Sequence, residues 1–301
     1  MKPKAVFDVG TNSVKMLVAV PGEGGMEILA DEVRICALGE GLHERGSLSE
    51  AAMSRVLAAL AELAALAAGF GVDEVAAIGT EALRRASNGE DFIERLRRKT
   101  GLELGVIPGE EEARLSFLAA LSCLEFPEGD LVAFDVGGGS TEFSFGSEGR
   151  IGRRISLPVG CIRFTDSFLP SDPSSPEELD RLVSALDGEL SEIEGKADTL
   201  VGIGGTATTL GSVMLRLEPF DAARIRGLRI EASEIDRQVE LYRSRKLEER
   251  RAIIGLHPDR APLILAGAAI IRAVMRRLGC PVLTLSDRAL RHGLFQDLWL
   301  R

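Results

Sequence analysis

The sequence predicts an α/β protein that contains two copies of one domain. Two stretches carry this prediction, "KAVFDVGTNSVKMLVAV" over Lys4–Val20 and "LVAFDVGGGSTEFSFG" over Leu131–Gly146. Each reads as an apolar strand, an aspartate, a glycine turn, hydroxyl side chains and a second apolar strand. The repeat period is too long for a solenoid, so it indicates a duplicated domain rather than an array. A composition of 33 glycines with one Trp and one Tyr also favours α/β packing over a β-sandwich.

Length and charge limit the possible classes of protein. A chain of 301 residues with 45% hydrophobic content can form two ordinary cores, which is consistent with two domains. The formal net charge of -10 argues against a general nucleic-acid-binding protein, because such proteins usually carry a basic excess. A polyanionic substrate is still compatible with this charge, since a local basic cleft can form within an acidic protein.

The first half is predicted to place three strands ahead of alternating helices and strands. Ser49 can cap a long helix, in which apolar residues between Met53 and Leu66 recur at helical spacing. The predicted strands are Val6–Gly10, Val14–Val20, Met26–Ile35, Val75–Gly79 and Leu104–Ile107, and the predicted helices are Ser49–Ala68, Asp91–Lys99 and Glu110–Leu121.

The second half repeats this order after Leu131. A polar, proline-rich loop over Pro170–Pro176 precedes its first long helix. We expect the first domain to cover residues 1–124 and to include a final helix at 288–301, and the second domain to cover 125–287. The predicted strands are Val132–Val136, Glu142–Gly146, Arg150–Leu157, Leu200–Ile203 and Pro281–Leu285, and the predicted helices are Glu177–Ile193, Thr206–Leu215 and Ala261–Leu278.

Cysteine usage and the lack of a targeting signal favour a cytoplasmic protein that does not bind membranes. The apolar stretch Val56–Ala68 is too short to span a bilayer and contains Glu62, and no segment resembles a leader peptide. The three histidines are scattered, which argues against a histidine-based zinc site. Four isolated cysteines without a CxxC pair are expected to be buried and reduced, namely Cys36, Cys123, Cys161 and Cys280.

The two glycine turns have the chemistry of phosphate-binding loops. Without side chains in the way, the backbone N–H groups of a glycine-rich turn can converge on an anion. The hydroxyl groups of Thr11, Ser13, Ser140 and Thr141 would add donors, and the strand-end carboxylates Asp8 and Asp135 can orient Mg²⁺ or water. A third motif, "VGIGGTATTL" over Val201–Leu210, places a Gly-Gly turn at a helix N-terminus, which also favours phosphate or nucleotide. Two such loops that face each other across a cleft would hold a chain of phosphates at both ends.

In this order the three loops resemble the superfamily of actin, sugar kinases and heat-shock chaperone ATPases. Seven segments, in order over nearly the whole chain, further resemble the exopolyphosphatase and guanosine pentaphosphate phosphohydrolase family: "FDVGTNSVKML", "GTEALRRASN", "VIPGEEEARLSFLAA", "FDVGGGSTEF", "SLPVGCIRFTDSF", "GIGGTATTL" and "LTLSDRALRHGLF". The most specific are "DVGGGSTE" and "PGEEEARL".

The resemblance implies two ribonuclease-H-like, actin-like ATPase domains with an interdomain cleft. It also implies Mg²⁺-dependent hydrolysis of the terminal phosphoanhydride of inorganic polyphosphate or of guanosine pentaphosphate, which yields the tetraphosphate.

The same resemblance assigns roles to individual residues. Glu112 would be the general base on the attacking water, and Glu142 a second catalytic acid. The metal-binding carboxylates would be Asp8, Asp135 and Glu142. Glu110 and Glu111 are interpreted as ordinary acidic residues in the first turn of a helix. The implied substrate-binding residues are Gly10, Thr11, Asn12, Ser13, Arg84, Gly137, Gly138, Gly139, Ser140, Thr141, Gly204, Gly205 and Thr206.

Two other classes of function were weighed against hydrolysis. An ATP-dependent small-molecule kinase would need a catalytic aspartate and an acceptor pocket in the first domain, and it does not predict "PGEEEARL". An actin-like filament or chaperone-type ATPase would need larger insertions than 301 residues allow. Polyphosphate or guanosine pentaphosphate is the expected partner, with ATP hydrolysis and a homodimer as open possibilities. The sequence also leaves open whether Lys15 or the Arg150–Arg154 cluster contacts the substrate.

Overall fold

The computed structural model describes residues 1–122, 129–147 and 150–300. The chain divides into one compact unit of Met1–Ala119 with Leu290–Arg301 and a second of Ala120–Ala289. The sequence placed these divisions a few residues away, after positions 124 and 287. Cys123 and the predicted boundary at Leu124 fall outside the described residues.

The first unit contains a five-stranded sheet in the order β3-β2-β1-β4-β5. Strands β1 to β3 form an antiparallel meander, and β4 and β5 continue the sheet parallel to β1. The strands are β1 Lys4–Val9, β2 Ser13–Gly22, β3 Gly25–Ile35, β4 Glu74–Gly79 and β5 Leu104–Val106, and the helices are α1 Leu42–Arg45, α2 Glu50–Gly69, α3 Glu81–Arg85, α4 Gly89–Thr100 and α5 Gly109–Leu121.

The second unit repeats this topology in a six-stranded sheet with the order β10-β11-β9-β6-β7-β8. Strands β6 to β8 form the antiparallel meander, β9 and β11 follow in parallel, and β10 adds a short antiparallel edge. The strands are β6 Asp130–Val136, β7 Thr141–Ser147, β8 Arg150–Leu157, β9 Thr199–Ile203, β10 Arg229–Glu231 and β11 Val282–Leu285, and the helices are α6 Cys161–Phe168, α7 Pro176–Glu189, α8 Gly204–Leu215, α9 Ala222–Ile225, α10 Ala232–Arg243, α11 Leu247–Arg251 and α12 Ile264–Arg277. The chain then returns to the first unit as α13, Leu290–Trp299.

Every predicted strand and helix is present, with ends shifted by a few residues. The helix predicted to reach Ile193 ends at Glu189, and the helix predicted from Ala261 begins at Ile264. The elements that the sequence missed are mostly short, because fewer than two helical turns give no readable period. The longest of them, α10, fully buries only three side chains, and one of these, Gln238, is polar. The missed elements are α1, α3, α6, α9, α10, α11 and β10.

Helix α2 packs in the core of the first unit. Its N-terminus is capped by Ser49, whose hydroxyl oxygen accepts from the N–H of Ala52 at 3.2 Å. Among the described residues, α2 is also the one helix whose length of 20 residues and mean hydropathy of 1.6 would suit a membrane span. Helix α2 is longer than the apolar stretch Val56–Ala68 that the sequence analysis judged too short to span a bilayer. Its inward face, including Val56, Leu60 and Leu63, lies in the hydrophobic core.

Helix α13 helps to cover the opposite face of the first sheet. Phe295 and Leu290 of α13 pack with Val6 of β1, Leu17 of β2 and Leu115 of α5 in a separate hydrophobic cluster. The first sheet is therefore sandwiched between helices, as expected for an α/β fold with one central sheet.

Candidate functional site

The two glycine turns have the same backbone geometry. The N–H of Gly10 donates to the carbonyl of Ser13 at 2.9 Å, and the N–H of Gly137 donates to the carbonyl of Ser140 at 2.9 Å. A Cβ atom at Gly10 would lie 3.1 Å from the carbonyl oxygen of Ser13, and a Cβ atom at Gly137 would lie 3.0 Å from the carbonyl oxygen of Ser140. The repeated sequence therefore folds into a repeated turn, in which close backbone approach favours glycine.

The residues that flank the turns occupy matching positions but carry different charges. In the β1–β2 ladder Asp8 lies opposite Lys15, and in the β6–β7 ladder Asp135 lies opposite Glu142. The Nζ atom of Lys15 lies 2.8 Å from Oδ2 of Asp8. Directly opposite residues in an antiparallel ladder have neighbouring side chains. The first turn is thus flanked by an ion pair, and the second by two carboxylates.

Asp8 is fully buried beside the first turn. Its Oδ1 atom, and Oδ1 of Asn12 in the turn itself, form no hydrogen bond with any residue that the structure describes. A buried acceptor without a donor is unfavourable, and such atoms are usually satisfied by ordered water or an ion. These two atoms can therefore accept from water or coordinate a cation at the first turn.

Two of the predicted hydroxyl donors are engaged within the protein. Thr11 donates to Oε2 of the buried Glu81 at 3.0 Å. Thr141 donates to the carbonyl of Val159. Since a hydroxyl group has one proton to donate, neither group can donate to phosphate without giving up this bond. In this arrangement the backbone N–H groups and the serine hydroxyls are the better anion donors.

The Gly-Gly turn at the start of α8 lies against the second glycine hairpin. Gly204 has a φ of +79°, and a Cβ atom there would lie 2.1 Å from Oδ1 of Asp135. Thr206 donates its hydroxyl proton to the carbonyl of Val136, the last residue of β6, at 3.0 Å. The N-terminus of an α-helix favours anions, so the predicted third motif places a further anion-binding element beside the second turn.

Arg260 is a candidate site residue that the sequence analysis missed. A Cβ atom at Gly205 would lie 2.2 Å from its Nη1 atom, so the guanidinium group lies directly over the first turn of α8. Planar guanidinium groups bind phosphate in a bidentate manner. The segment "LHPDRAPL" that contains Arg260 is remote from every glycine turn in the sequence, and it carries no local signal that could have linked it to them.

The predicted arginine and glutamate of the first unit lie together. Arg84 donates from Nη1 to the carbonyl of Ile107 at 2.7 Å, and the same atom lies 3.6 Å from Oε2 of Glu112. The side chain of Glu112 is 13% exposed. The N–H of Glu112 donates to the carbonyl of Pro108 at 3.1 Å, which fixes the first turn of α5. Glu112 is thus a shielded carboxylate beside a cation.

In each unit the predicted residues follow the carboxyl ends of parallel strands. The N–H of Thr80, after β4, donates to the carbonyl of Val9 at the end of β1 at 3.2 Å, and the N–H of Ile107, after β5, donates to the carbonyl of Gly79 at 3.1 Å. The first turn, Arg84 and Glu112 therefore extend from one edge of the first sheet. Ligands of open α/β sheets bind at this edge.

The described residues contain no group of three or more His, Cys, Asp or Glu side chains placed to hold a metal ion. Mg²⁺ is commonly bound by one or two carboxylates together with substrate phosphates and water. Asp135 and Glu142 fit that requirement, because they lie opposite each other in the ladder. The Oε1 atom of Glu142 also accepts from Ser156 at 2.8 Å, which orients the carboxylate.

The expectation of buried thiols is confirmed for the three cysteines that the structure describes. Cys36, Cys161 and Cys280 are buried and free. Burial raises the pKa of the Cys161 thiol to about 11, so this thiol is protonated near neutral pH. Cys123 falls outside the described residues.

Comparison with known proteins adds evidence that is independent of this geometry. Residues 17–301 match the Ppx/GppA phosphatase family. Exopolyphosphatase 1 of Mycobacterium tuberculosis is 32% identical over 296 residues, which cover 96% of this chain and 86% of that protein. Exopolyphosphatase 2 of the same organism is 31% identical over 315 residues, with 98% of each protein covered. The crystal structure of the Aquifex aeolicus member of the Ppx/GppA family matches this structure with a TM-score of 0.85 at 35% sequence identity. The match covers 99% of this chain and 98% of the Aquifex chain.

Proposed function

Because this chain belongs to the Ppx/GppA phosphatase family, we propose that it hydrolyses the terminal phosphoanhydride of inorganic polyphosphate with Mg²⁺ and also converts guanosine pentaphosphate to the tetraphosphate. The chain is a hydrolase of the exopolyphosphatase type. The predicted α/β fold with two actin-like ATPase domains is confirmed by its two sheets and by the solved family structure. The match to named exopolyphosphatases favours hydrolysis over the kinase and filament alternatives.

The pairing of Glu112 with Arg84 is the observation that carries this proposal. Phosphoryl transfer requires a positioned nucleophile and compensation of negative charge more than covalent catalysis. Glu112 would accept the proton of the attacking water, and its limited exposure restricts competing solvent. Arg84 would keep this carboxylate oriented and offer its remaining N–H groups to a phosphate oxygen.

The glycine turns and α8 would hold the phosphates. The N–H groups of Gly10 and Gly137 close the two turns by donating to the carbonyls of Ser13 and Ser140. The backbone N–H groups of the residues inside each turn would therefore be the ones offered to phosphate. Gly204 and Gly205 open α8 beside Asp135, and Arg260 would add a bidentate cation there. These groups recognise a phosphate chain rather than a base or sugar, which is why polyphosphate and guanosine pentaphosphate are both proposed.

Asp135 and Glu142 would hold Mg²⁺ in the second unit. Two carboxylates on directly opposite residues repel each other, and a divalent cation offsets that repulsion. In the first unit, the Oδ1 atom of Asp8 forms no hydrogen bond with any residue that the structure describes, so it would accept from a water or bind a cation beside the first turn. When bound, Mg²⁺ would neutralise the phosphate oxygens and orient them.

We further propose a cytoplasmic location, a homodimer, and no binding to nucleic acid or membrane.

A comparison of substrates tests this function. Free phosphate is measured after the protein is incubated with short polyphosphate, long polyphosphate, guanosine pentaphosphate and ATP, each with Mg²⁺ or with EDTA. We expect Mg²⁺-dependent release from polyphosphate and guanosine pentaphosphate at much higher kcat/KM than from ATP. Phosphate transfer that requires an added sugar, or ATP turnover coupled to polymerisation, would instead support one of the alternatives.

A further inference from the structure

Helices α13 and α5 touch through their backbones at Gly293. A Cβ atom on this residue would lie 1.8 Å from the carbonyl oxygen of Leu115 and 2.7 Å from its carbonyl carbon. No side chain can be accommodated at that distance without moving one of the helices. Leu115 lies one turn after Glu112 on α5, so α13 contacts α5 close to the proposed base.

A second link joins the same helices through Arg114. Its guanidinium group donates from Nη1 and Nη2 to the two carboxylate oxygens of Asp297 on α13, at 3.1 and 2.9 Å. It also donates to both oxygens of Glu111, at 2.9 and 2.7 Å. Hydrogen bonds with Glu111, and then with Asp297, raise the pKa of Arg114 above its ordinary value, so the guanidinium group is charged at any working pH. Glu111 and Arg114 flank Glu112 in the sequence.

Helix α13 is itself anchored to the first sheet. Arg291 donates to both carboxylate oxygens of Asp31 in β3, at 2.6 and 2.8 Å. Nε2 of the buried His292 lies 3.2 Å from Oδ2 of the same aspartate. At its other end, the indole N–H of Trp299 donates to Oε2 of Glu74 in β4 at 3.0 Å. Together with Phe295 in the core, these contacts fix α13 along its whole length.

The strand that precedes α5 provides much less support. β5 contains three residues, and its Gly105 and Val106 are exposed. It pairs with β4 along one edge only. The short strand therefore leaves room for α13 to contribute to the position of α5.

We propose that α13 is a positioning element for catalysis: Gly293 and Asp297 hold α5 at Leu115 and Arg114, directly after the first turn, so that Glu112 stays aligned with the attacking water. This inference rests on the proposed role of Glu112 as the base. Reactions that depend on a near-attack geometry lose about 10²-fold in rate for a displacement of about 1 Å. Loss of either link should thus lower kcat while substrate affinity is retained, since neither residue belongs to the proposed phosphate site.

The test measures kcat and KM for polyphosphate, together with Tm, in Asp297→Asn and Gly293→Ala. We expect kcat to fall about 10-fold or more with KM within about twofold of wild type. Asp297→Glu, which keeps the carboxylate, should recover part of the lost kcat. Neighbouring residues of α7 supply matched controls. Asp187→Asn removes a more exposed ion pair between helices, to Arg276 at 3.3 Å, and Gly188→Ala adds a Cβ that meets no atom within 4 Å. Both controls should keep the wild-type kcat.

The outcomes separate this inference from the function on which it rests. If Glu112→Gln is inactive while Asp297→Asn and Gly293→Ala keep kcat within twofold of wild type, the positioning role of α13 is wrong and the base assignment stands. A rise in KM that equals the fall in kcat would also overturn it, because that pattern indicates a substrate contact or general damage. If Glu112→Gln is active, the base assignment fails whatever the α13 variants do. Should Gly293→Ala fail to fold, Asp297→Asn decides alone.

Discussion

Lys15 and Glu142 occupy equivalent positions in the two glycine hairpins, each directly opposite the strand-end aspartate of its own unit. The duplicated fold thus carries a cation at this position in one copy and an anion in the other. Lys15 compensates Asp8 in the first unit, whereas the pair of acids in the second is suited to a bound cation. The two copies thus share the backbone of the glycine turn but differ in the charge of the residue opposite the strand-end aspartate.

Lys15→Met should destabilise the protein strongly. The carboxylate of Asp8 is fully buried, and without Lys15 it would be left as a buried charge with no ion-pair partner. Breaking a buried pair in this way lowers the free energy of unfolding by about 3 kcal/mol. Urea unfolding at neutral pH measures the change. Arg97→Met breaks only exposed pairs, with Glu94 and Glu103, and should change stability by less than about 1 kcal/mol. Equal effects of the two variants would contradict the importance of the buried pair.

Glu142→Gln should raise the Mg²⁺ requirement. The amide keeps the shape of the side chain and can still accept from Ser156, but it removes one of the two opposed charges that would hold the ion. We expect the Mg²⁺ concentration that gives half-maximal activity to rise about 10-fold or more. A Mg²⁺ titration of polyphosphate hydrolysis checks this. The exposed Glu192 in the same unit supplies the control, Glu192→Gln, which should titrate as wild type. An unshifted titration for Glu142→Gln would remove this residue from the metal site.

Arg260→Ala should weaken substrate binding more than turnover. Its guanidinium group lies over Gly205 at the start of α8, where it would bind phosphate in the ground state and the transition state alike. Loss of such uniform binding raises KM and leaves kcat nearly unchanged. We expect KM for polyphosphate to rise by about 10-fold. Arg224→Ala, which removes an arginine from α9 in the same unit, is the control. A wild-type KM for Arg260→Ala would show that this group does not touch substrate.

Asp31 should contribute stability that is lost in acid. Partial burial of Asp31 opposes its ionisation, but the charge of Arg291, together with hydrogen bonds from His292 and Arg291, outweighs this and holds the pKa of the carboxyl well below its usual range. A group whose pKa is lower in the folded state stabilises it above the unfolded pKa of about 3.9 and loses that effect as the pH falls further. The difference in unfolding free energy between wild type and Asp31→Asn should therefore be largest near pH 7 and shrink below about pH 4. A difference that is constant between pH 3 and pH 7 would contradict this.

The sequence predicted the parts of the site that are local in the chain. The hairpin around Gly137 could be read directly, because the turn and both of its strands lie within one short stretch. Glu112 was proposed as the base through the resemblance of "PGEEEARL", which is a stretch of eight consecutive residues. The position of Ser49 as a helix cap is confirmed for the same reason.

Contacts between distant segments could not be read in this way. Arg260 and Gly205 are brought together only by the packing of the second unit, and no periodicity links their segments. Likewise, the engagement of Thr11 by Glu81 depends on β1 and β4 being neighbours in the sheet. The sequence identified Thr11 as a donor but could not show that its proton is already used.

A comparison of the activities of Glu112→Gln and Glu110→Gln shows whether Glu112 is the general base. Both substitutions remove one negative charge from the first turn of α5, but Glu110 is exposed and Glu112 is paired with Arg84. With saturating polyphosphate and Mg²⁺, we predict that kcat falls by about 10²–10⁴ in Glu112→Gln and stays near wild type in Glu110→Gln. Near-normal turnover by folded Glu112→Gln would show that Glu112 is not the general base.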